Sequence, residues 1–190
     1  AGLTMTETHL FQSSQGAGYF STQRFDRNRE LRFHAHTACG LLHSDFRTPS
    51  LDYEDLLALT QVLTRDMREV EKMFRLAVFN VFSHNRDDHS KNFTFLMEAR
   101  GEWKLSPAYD LTFSSGLGGE QSTMVMGEGK KPGVGHLIKL GVDAKIDRTK
   151  IDGIIEQTRH ALSQWTVLAK EYGVSQGNIK LIHSKIVTSS

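Results

Sequence analysis

Ser83-His84-Asn85-Arg86-Asp87-Asp88-His89-Ser90-Lys91-Asn92 is the stretch on which the fold of this chain turns. It crowds carboxylates, imidazoles, amides and cations into one loop, a density that a plain connecting turn does not need. Upstream, Met67, Val70, Met73, Phe74, Ala77, Val78 and Val81 recur at steps of three and four. That period predicts a helix over 66–83 with a wide apolar stripe, as suits a central helix. Downstream, Phe93–Glu98 and Trp103–Leu105 flank Ala99-Arg100-Gly101-Glu102 and read as a β-hairpin. Ser106-Pro107-Ala108-Tyr109-Asp110-Leu111 comes next, so the hairpin returns one more carboxylate to the helix end where the loop lies.

Further out, Ser50 and Asp52 are N-cap residues for a helix over 52–63, with Leu56, Leu59 and Leu63 on one face. Residues 8–12 and 19–25 read as two strands around the turn Ser13–Gly18, and little else before Asp52 offers strands. An isolated hairpin is not stable, so this one is expected to belong to a larger sheet. Residues 114–135 hold seven glycines and read as a loop with a short strand at Ser122–Met126. A helix over 148–172 buries Ile151, Ile154, Ile155, Thr158, Leu162, Trp165 and Leu168, Gly173 is its C-cap, and a last helix runs over 175–187. The fold class is α+β, mainly α, with small hairpins around one polar loop.

The chain has 190 residues, 38% hydrophobic and 24% charged, enough for one globular domain with its own core. A net charge of +1 gives no long-range field toward nucleic acid or membrane, so neither is an expected partner. Cys39 is the only cysteine, which excludes a disulfide framework and a cysteine zinc site and agrees with a reducing cytoplasm. No apolar run reaches the roughly 18 residues of a membrane helix. Ala1–Gln12 lacks a signal-peptide pattern, and without an initiator Met the sequence reads as a processed product or a fragment.

Phosphoryl transfer to a hydroxyl needs few parts. A carboxylate orients the hydroxyl and takes its proton, hard oxygen ligands hold Mg²⁺, and a cation meets the charge on the transferring group. Asp87 and Asn92 stand five apart and Arg86 precedes Asp87. That is the Asp-x-x-x-x-Asn spacing of a protein-kinase catalytic loop, where the Asp is the base and the Asn binds metal. Asp110 stands eighteen positions after Asn92, room for two short strands and a turn, which sets Asp110 in the place of the kinase metal-binding Asp. The spacing alone also arises by chance, and Asp87 or Asp88 could simply cap a turn. The hairpin and Asp110 lift it above that reading.

Four ordered motifs then carry a resemblance. Asp87-Asp88-His89-Ser90-Lys91-Asn92-Phe93 resembles the Asp-x-His-Ala-Lys-Asn-Phe motif of HipA-family serine/threonine protein kinases, the toxins of bacterial toxin–antitoxin pairs. Ser106-Pro107-Ala108-Tyr109-Asp110 resembles that family's Pro-x-Tyr-Asp, and Gln23-Arg24-Phe25-Asp26-Arg27 resembles its hinge, usually Glu-Arg-Phe-Asp-Arg. Leu41–Leu51 resembles a segment just ahead of its first C-lobe helices, and the similarity runs from about residue 3 to the end. It implies a protein-kinase-like C-lobe, with residues 1–27 a remnant of the N-lobe and hinge, 28–190 the C-terminal lobe, and most of the N-lobe absent. It implies ATP and Mg²⁺ as cofactors. Asp87 becomes the catalytic base, His89 and Lys91 lie beside the phosphates, and Asn92 and Asp110 are metal ligands. The backbone of Gln23 and Phe25 meets adenine, and Asp26 meets the ribose. A protein substrate such as an aminoacyl-tRNA synthetase, a HipB-like antitoxin and a cytoplasmic location are further implications. Ser90 for Ala and Gln23 for Glu are mild departures, because hinge contacts are made by backbone. No glycine-rich phosphate loop with its Lys is found; Gly116-x-Gly118 and Gly127-x-Gly129-Lys130-Lys131 lack the flanking strand and helix. The intact protein is therefore expected to be the active kinase, and this chain alone weak or inactive.

Two other functions are open to the same residues. A metal-dependent nuclease or phosphohydrolase would use His84, Asp87, Asp88 and His89, with Asp26 or Asp45 in support. A docking module would keep the scaffold without chemistry. His34-x-His36 with His43 reads as strand or loop alternation rather than a metal site, Trp165 as core, and Arg24, Arg27, Arg29 and Arg32 as a solvated face.

Overall fold

The computed structural model describes residues 1–45 and 51–188. Ser50, and residues 46–50 of the family-like segment, lie outside the described residues. The chain opens with a hairpin, β1 (Thr8–Ser13) and β2 (Gly16–Thr22). A small ribbon, β3 (Arg27–Asn28) and β4 (Leu31–Arg32), leads to β5 (His34–Thr37) and a short helix α1 (Ala38–Leu41). Then come β6 (Leu51–Asp52), α2 (Tyr53–Thr64), α3 (Met67–Phe82), β7 (Thr94–Met97), β8 (Trp103–Leu105) and β9 (Thr123–Met124). Four helices close the chain: α4 (Val134–Asp143), α5 (Arg148–Ser163), α6 (Trp165–Glu171) and α7 (Gln176–Thr188).

α3 is the pivot. Asp66 starts it by accepting the Arg68 amide at 2.9 Å, and Val70, Met73, Phe74, Ala77 and Val78 are fully buried. α2, α4 and α5 pack on it. α4 comes closest at Gly141, where an added Cβ would stand 2.6 Å from Ile151 Cδ1 and 3.1 Å from Phe74 Cε2. On the other side, β5, β7 and β8 form an antiparallel sheet, with His34 opposite Met97 and Phe95 opposite Leu105. Buried Glu69 joins helix to sheet, its Oε2 accepting the Leu105 amide at 2.9 Å. β6 pairs in parallel with β9. Asp52 caps α2 through the Glu54 amide (3.0 Å) and also accepts the amides of Met126 (3.1 Å) and Gly127 (2.7 Å).

Several expectations shift. β2 begins at Gly16, because the turn is only Ser14–Gln15. Gly18, at φ +90°, permits this: an added Cβ there would meet the Phe11 carbonyl oxygen at 2.2 Å. The β1–β2 hairpin pairs with no other strand among the described residues. Three short strands lie between residues 27 and 37, where little was expected. α4 starts at the end of the 114–135 stretch read as loop and runs on to Asp143, over residues to which no element was assigned. The helix over 148–172 breaks at Gln164 into α5 and α6. Ile151, Ile154, Ile155 and Thr158 are buried as expected, whereas Trp165 is half-buried and Leu168 is 47% exposed. The break turns α6 onto α7, where Trp165 Nε1 donates to the Ile179 carbonyl at 3.3 Å. Among the described residues no helix is long and apolar enough to cross a membrane.

Two glycines in helices separate space from propensity. Gly141→Val should cost about 1–3 kcal/mol by overpacking. Gly153→Ala, where an added Cβ meets nothing within 4 Å, should gain up to about 1 kcal/mol from helix propensity. Urea denaturation midpoints of both variants check the pair, and a neutral Gly141→Val would refute the packing described for α4.

Candidate active site

α3 ends at Phe82, and His84, at φ +57°, turns the chain out of the helix. The loop is then stitched to α3 and to the glycine-rich segment. Asn85 donates its amide to the Asn80 carbonyl (2.9 Å), and the Ser114 amide donates to the His84 carbonyl (3.0 Å). Ser122 binds the Arg86 carbonyl through its amide (3.2 Å) and Oγ (3.0 Å). The Arg86 guanidinium donates to the carbonyls of Gly119 and Lys130, the latter at 2.9 Å.

Neighbouring aspartates have opposite fates. Asp88 is fully buried and Asp87 is exposed. One Asp88 oxygen accepts from Tyr53 OH (2.6 Å) and Gln121 Nε2 (3.1 Å), and the other from the amides of Ser122 (3.1 Å) and Thr123 (3.2 Å). Tyr53 OH in turn accepts from Asn80 Nδ2 at 2.9 Å, and Asn80 Oδ1 accepts from Asn85 Nδ2 at 3.1 Å. Burial pushes the Asp88 carboxyl up to about 7, against hydrogen bonds that all favour the anion. Burial, and then the Asp88 charge, push the Tyr53 phenol well above its usual value.

With Asp88 anchored inside, Asp87 faces solvent. Asn92 Nδ2 donates to the Asp87 carbonyl at 3.0 Å and closes the loop through the one-turn helix Ser90–Asn92. That commits the amide nitrogen and leaves Asn92 Oδ1 as the atom to offer a ligand. Asp110, exposed and at φ +55°, comes back to the same place: Asn85 Nδ2 reaches its carbonyl at 3.5 Å. The N-terminal segment pins this return, with the Ala108 amide donating to the Thr4 carbonyl at 2.8 Å. Asn92 is thus tied to the backbone of Asp87, and Asp110 to Asn85 of the same loop, just beyond the end of α3. His89 is half-buried at the start of the one-turn helix, and Lys91 holds an exposed side chain while its carbonyl accepts from Tyr109 OH. The oxygen donors suit Mg²⁺, a hard ion that one or two carboxylates or amides hold while it keeps several waters.

A cleft of about 360 Å³ is lined by Gln23, Arg24, Phe25, Asp26, Thr37, Thr94 and Tyr109. Gln23, Phe25 and Asp26 thus line the same cleft. The Asp26 carboxylate is occupied by Arg24, with Nε–Oδ1 at 2.8 Å. Phe25 and Tyr109 rings lie 5.4 Å apart, and Tyr109 OH meets Thr94 Oγ1 at 2.6 Å. Thr37 and Thr94 carry no signal in the sequence. Tyr109 stands in a recognised motif without an assigned role, and its ring chemistry was the available signal. Among the described residues, no group of three or more His, Cys, Asp or Glu is placed to hold a metal, so His84, Asp87, Asp88 and His89 do not gather as one ligand set. His34 and His36 lie on β5, with His34 edge-on to Trp103 at 5.5 Å.

The backbone superposes on HipA in the Shewanella oneidensis MR-1 complex of HipA, HipB and operator DNA, with a TM-score of 0.74 over 98% of this chain and 50% of that one, at 16% identity. The fold is thus the HipA-like, protein-kinase-like C-lobe. A family model described as HipA-like C-terminal domain matches residues 1–165, and the chain belongs to that family. The Sinorhizobium fredii (strain NGR234) protein named "Putative kinase Y4mE" is 25% identical over 173 residues, 80% of this chain and 41% of the relative. The chain therefore spans half or less of the length of these relatives.

Asp88 gives a pH test. Its pKa is about 3.9 unfolded and about 7 folded, so between those values the native state binds more protons and this group's contribution falls as pH rises. The stability of the wild type relative to Asp88→Asn should decline from about pH 4 to about pH 7 and then level off. Urea midpoints of both proteins across that range measure it; a difference independent of pH would contradict the buried carboxyl.

Proposed function

We propose that this chain is the catalytic lobe of an ATP- and Mg²⁺-dependent serine/threonine protein kinase of the HipA type. The observation that carries the reading is the split between Asp88, consumed by the fold, and Asp87, left exposed, with Asn92 and Asp110 close in sequence to Thr94 and Tyr109 of the cleft wall. A fold gains nothing from leaving two carboxylates exposed near the Asn92 amide, whereas phosphoryl transfer needs that set. Bound Mg–ATP supplies the phosphoryl group and the charge-neutralising ion. Asp87 orients the substrate hydroxyl and accepts its proton. Asn92 Oδ1 and the Asp110 carboxylate are the protein's metal ligands, and His89 and Lys91 stand beside the phosphates. Gln23 and Phe25 present backbone to adenine, the Phe25 and Tyr109 rings give it an apolar wall, and Asp26 takes the ribose in exchange for Arg24.

Because the chain covers about half of its relatives, the remaining phosphate clamp belongs to the rest of the full-length protein in this reading. The substrate is a protein hydroxyl, an aminoacyl-tRNA synthetase being one candidate, and the location is the cytoplasm. The solved HipA sits in a complex with HipB and operator DNA. By analogy a HipB-like antitoxin is the partner here, with DNA contacted through it, since a net charge of +1 gives this chain little attraction of its own.

In full-length protein, Asp87→Asn should lower phosphotransfer about 10²-fold or more and leave the urea midpoint unchanged, because Asp87 is exposed. Retained phosphorylation of a target protein by that variant would refute the assignment. Absence of Mg²⁺-dependent ATP binding would favour the docking module instead.

A further inference from the structure

We propose that Tyr109 is a positioning residue that couples the cleft to the peptide carrying Asn92, so that a base held in the cleft helps to orient that metal ligand. The inference rests on the kinase reading, since it takes the cleft to be the adenine site.

Tyr109 is the side chain at which cleft and loop join. Its ring lines the cleft and lies 5.4 Å from that of Phe25, inclined at 40°. Its hydroxyl donates to the Lys91 carbonyl and stands 2.6 Å from Thr94 Oγ1. The residue that follows it is Asp110, the other proposed ligand. The phenol is half-buried, and burial raises its pKa above the usual value, against the Thr94 hydrogen bond. It therefore keeps its proton at neutral pH, and it has one to give. That proton goes to Lys91, so the Thr94 hydroxyl donates to the phenol oxygen. Thr94 is buried on β7, which gives the phenol a fixed post in the sheet.

The Lys91 carbonyl and the Asn92 amide belong to one rigid peptide plane. Tyr109 holds its oxygen end, and its nitrogen end donates to the His89 carbonyl at 2.8 Å. Asn92 Nδ2 meanwhile goes to the Asp87 carbonyl at 3.0 Å. The plane and this side-chain bond together orient Asn92.

A phenol suits such a link, with an apolar body and a polar tip. Its oxygen lies on the long axis of the ring, so a ring flip leaves that oxygen in place, whereas a tilt of the ring carries it along. A base packed against Phe25 and Tyr109 restrains the tilt, and the hydroxyl passes the restraint to the Lys91–Asn92 peptide. An apolar wall alone has no use for the hydroxyl; phenylalanine would serve it as well.

The test uses full-length protein labelled with ¹³C at Lys carbonyls and ¹⁵N at Asn, and adenosine as the probe, because it carries no phosphate and needs no metal. Lys91–Asn92 is the only Lys-Asn pair in this chain, and loss of its NMR signal in Asn92→Asp identifies it. Adenosine should shift that signal saturably in the wild type. Tyr109→Phe keeps the ring, so it should still bind adenosine by calorimetry while the shift is lost. In phosphotransfer assays the same variant should slow turnover about 2- to 10-fold, the worth of one hydrogen bond, with the loss in kcat rather than in KM for ATP. Thr94→Val removes the hydroxyl behind the phenol and should diminish the shift in the same direction; thermal melts establish that both variants are folded. If adenosine fails to bind, the adenine reading of the cleft falls and the coupling falls with it. If adenosine binds but leaves the signal still, or moves it equally in the wild type and both variants, the coupling alone is overturned and the kinase reading stands.

Discussion

A carboxylate buried to zero exposure is tolerable only if every lone pair finds a donor, and Asp88 makes that demand on three parts of the chain. Tyr53 comes from α2, Gln121, Ser122 and Thr123 come from the glycine-rich segment, and Asn80 and Asn85 extend the network back into α3 and the loop. The loop then has one register. Asp88 inward forces Asp87 outward, and the one-turn helix just beyond sets Asn92. An exposed motif thus owes its geometry to a residue that never meets solvent.

The helices around this network serve it at a distance. α3 carries the apolar load, and its polar end is free to be shaped by hydrogen bonds because the stripe from Val70 to Phe82 already fixes the axis. Glu69 does for the sheet what Asp88 does for the loop: a buried acid takes a backbone amide of β8 and sets where the hairpin, and hence Asp110, returns.

Legibility in the sequence depends on the range of each signal. α3 and the β7–β8 hairpin were legible because their signals are local, a period of three to four and a turn between two apolar runs. β5 was not resolved from a loop, because its partner, Thr94–Met97, lies some sixty residues on and nothing near His34 announces it. α4 was hidden by Gly135 and Gly141, which argue against a helix by propensity; Gly141 is there because Ile151 and Phe74 leave no room for a methyl. The break at Gln164 has no local mark. At the site, the spacing of Asp87, Asn92 and Asp110 named the candidate residues, and the hydrogen bonds that tie their backbones to the loop after α3 could not be read from it. The cleft could not be read, since Thr37, Thr94 and Tyr109 are ordinary residues until the sheet gathers them. Asp88 was read as a possible ligand for the same reason: only burial distinguishes a structural carboxylate from a functional one.

The cap of α2 has one more consequence. Asp52 holds the Glu54 amide at the start of that helix and the Met126 and Gly127 amides of a distant turn with the same side chain. A helix terminus and a loop that share an anchor open together. Slow hydrogen exchange at these three amides is then a single cooperative event, so the glycine-rich segment, for all its local freedom, moves on the clock of a helix seventy residues upstream.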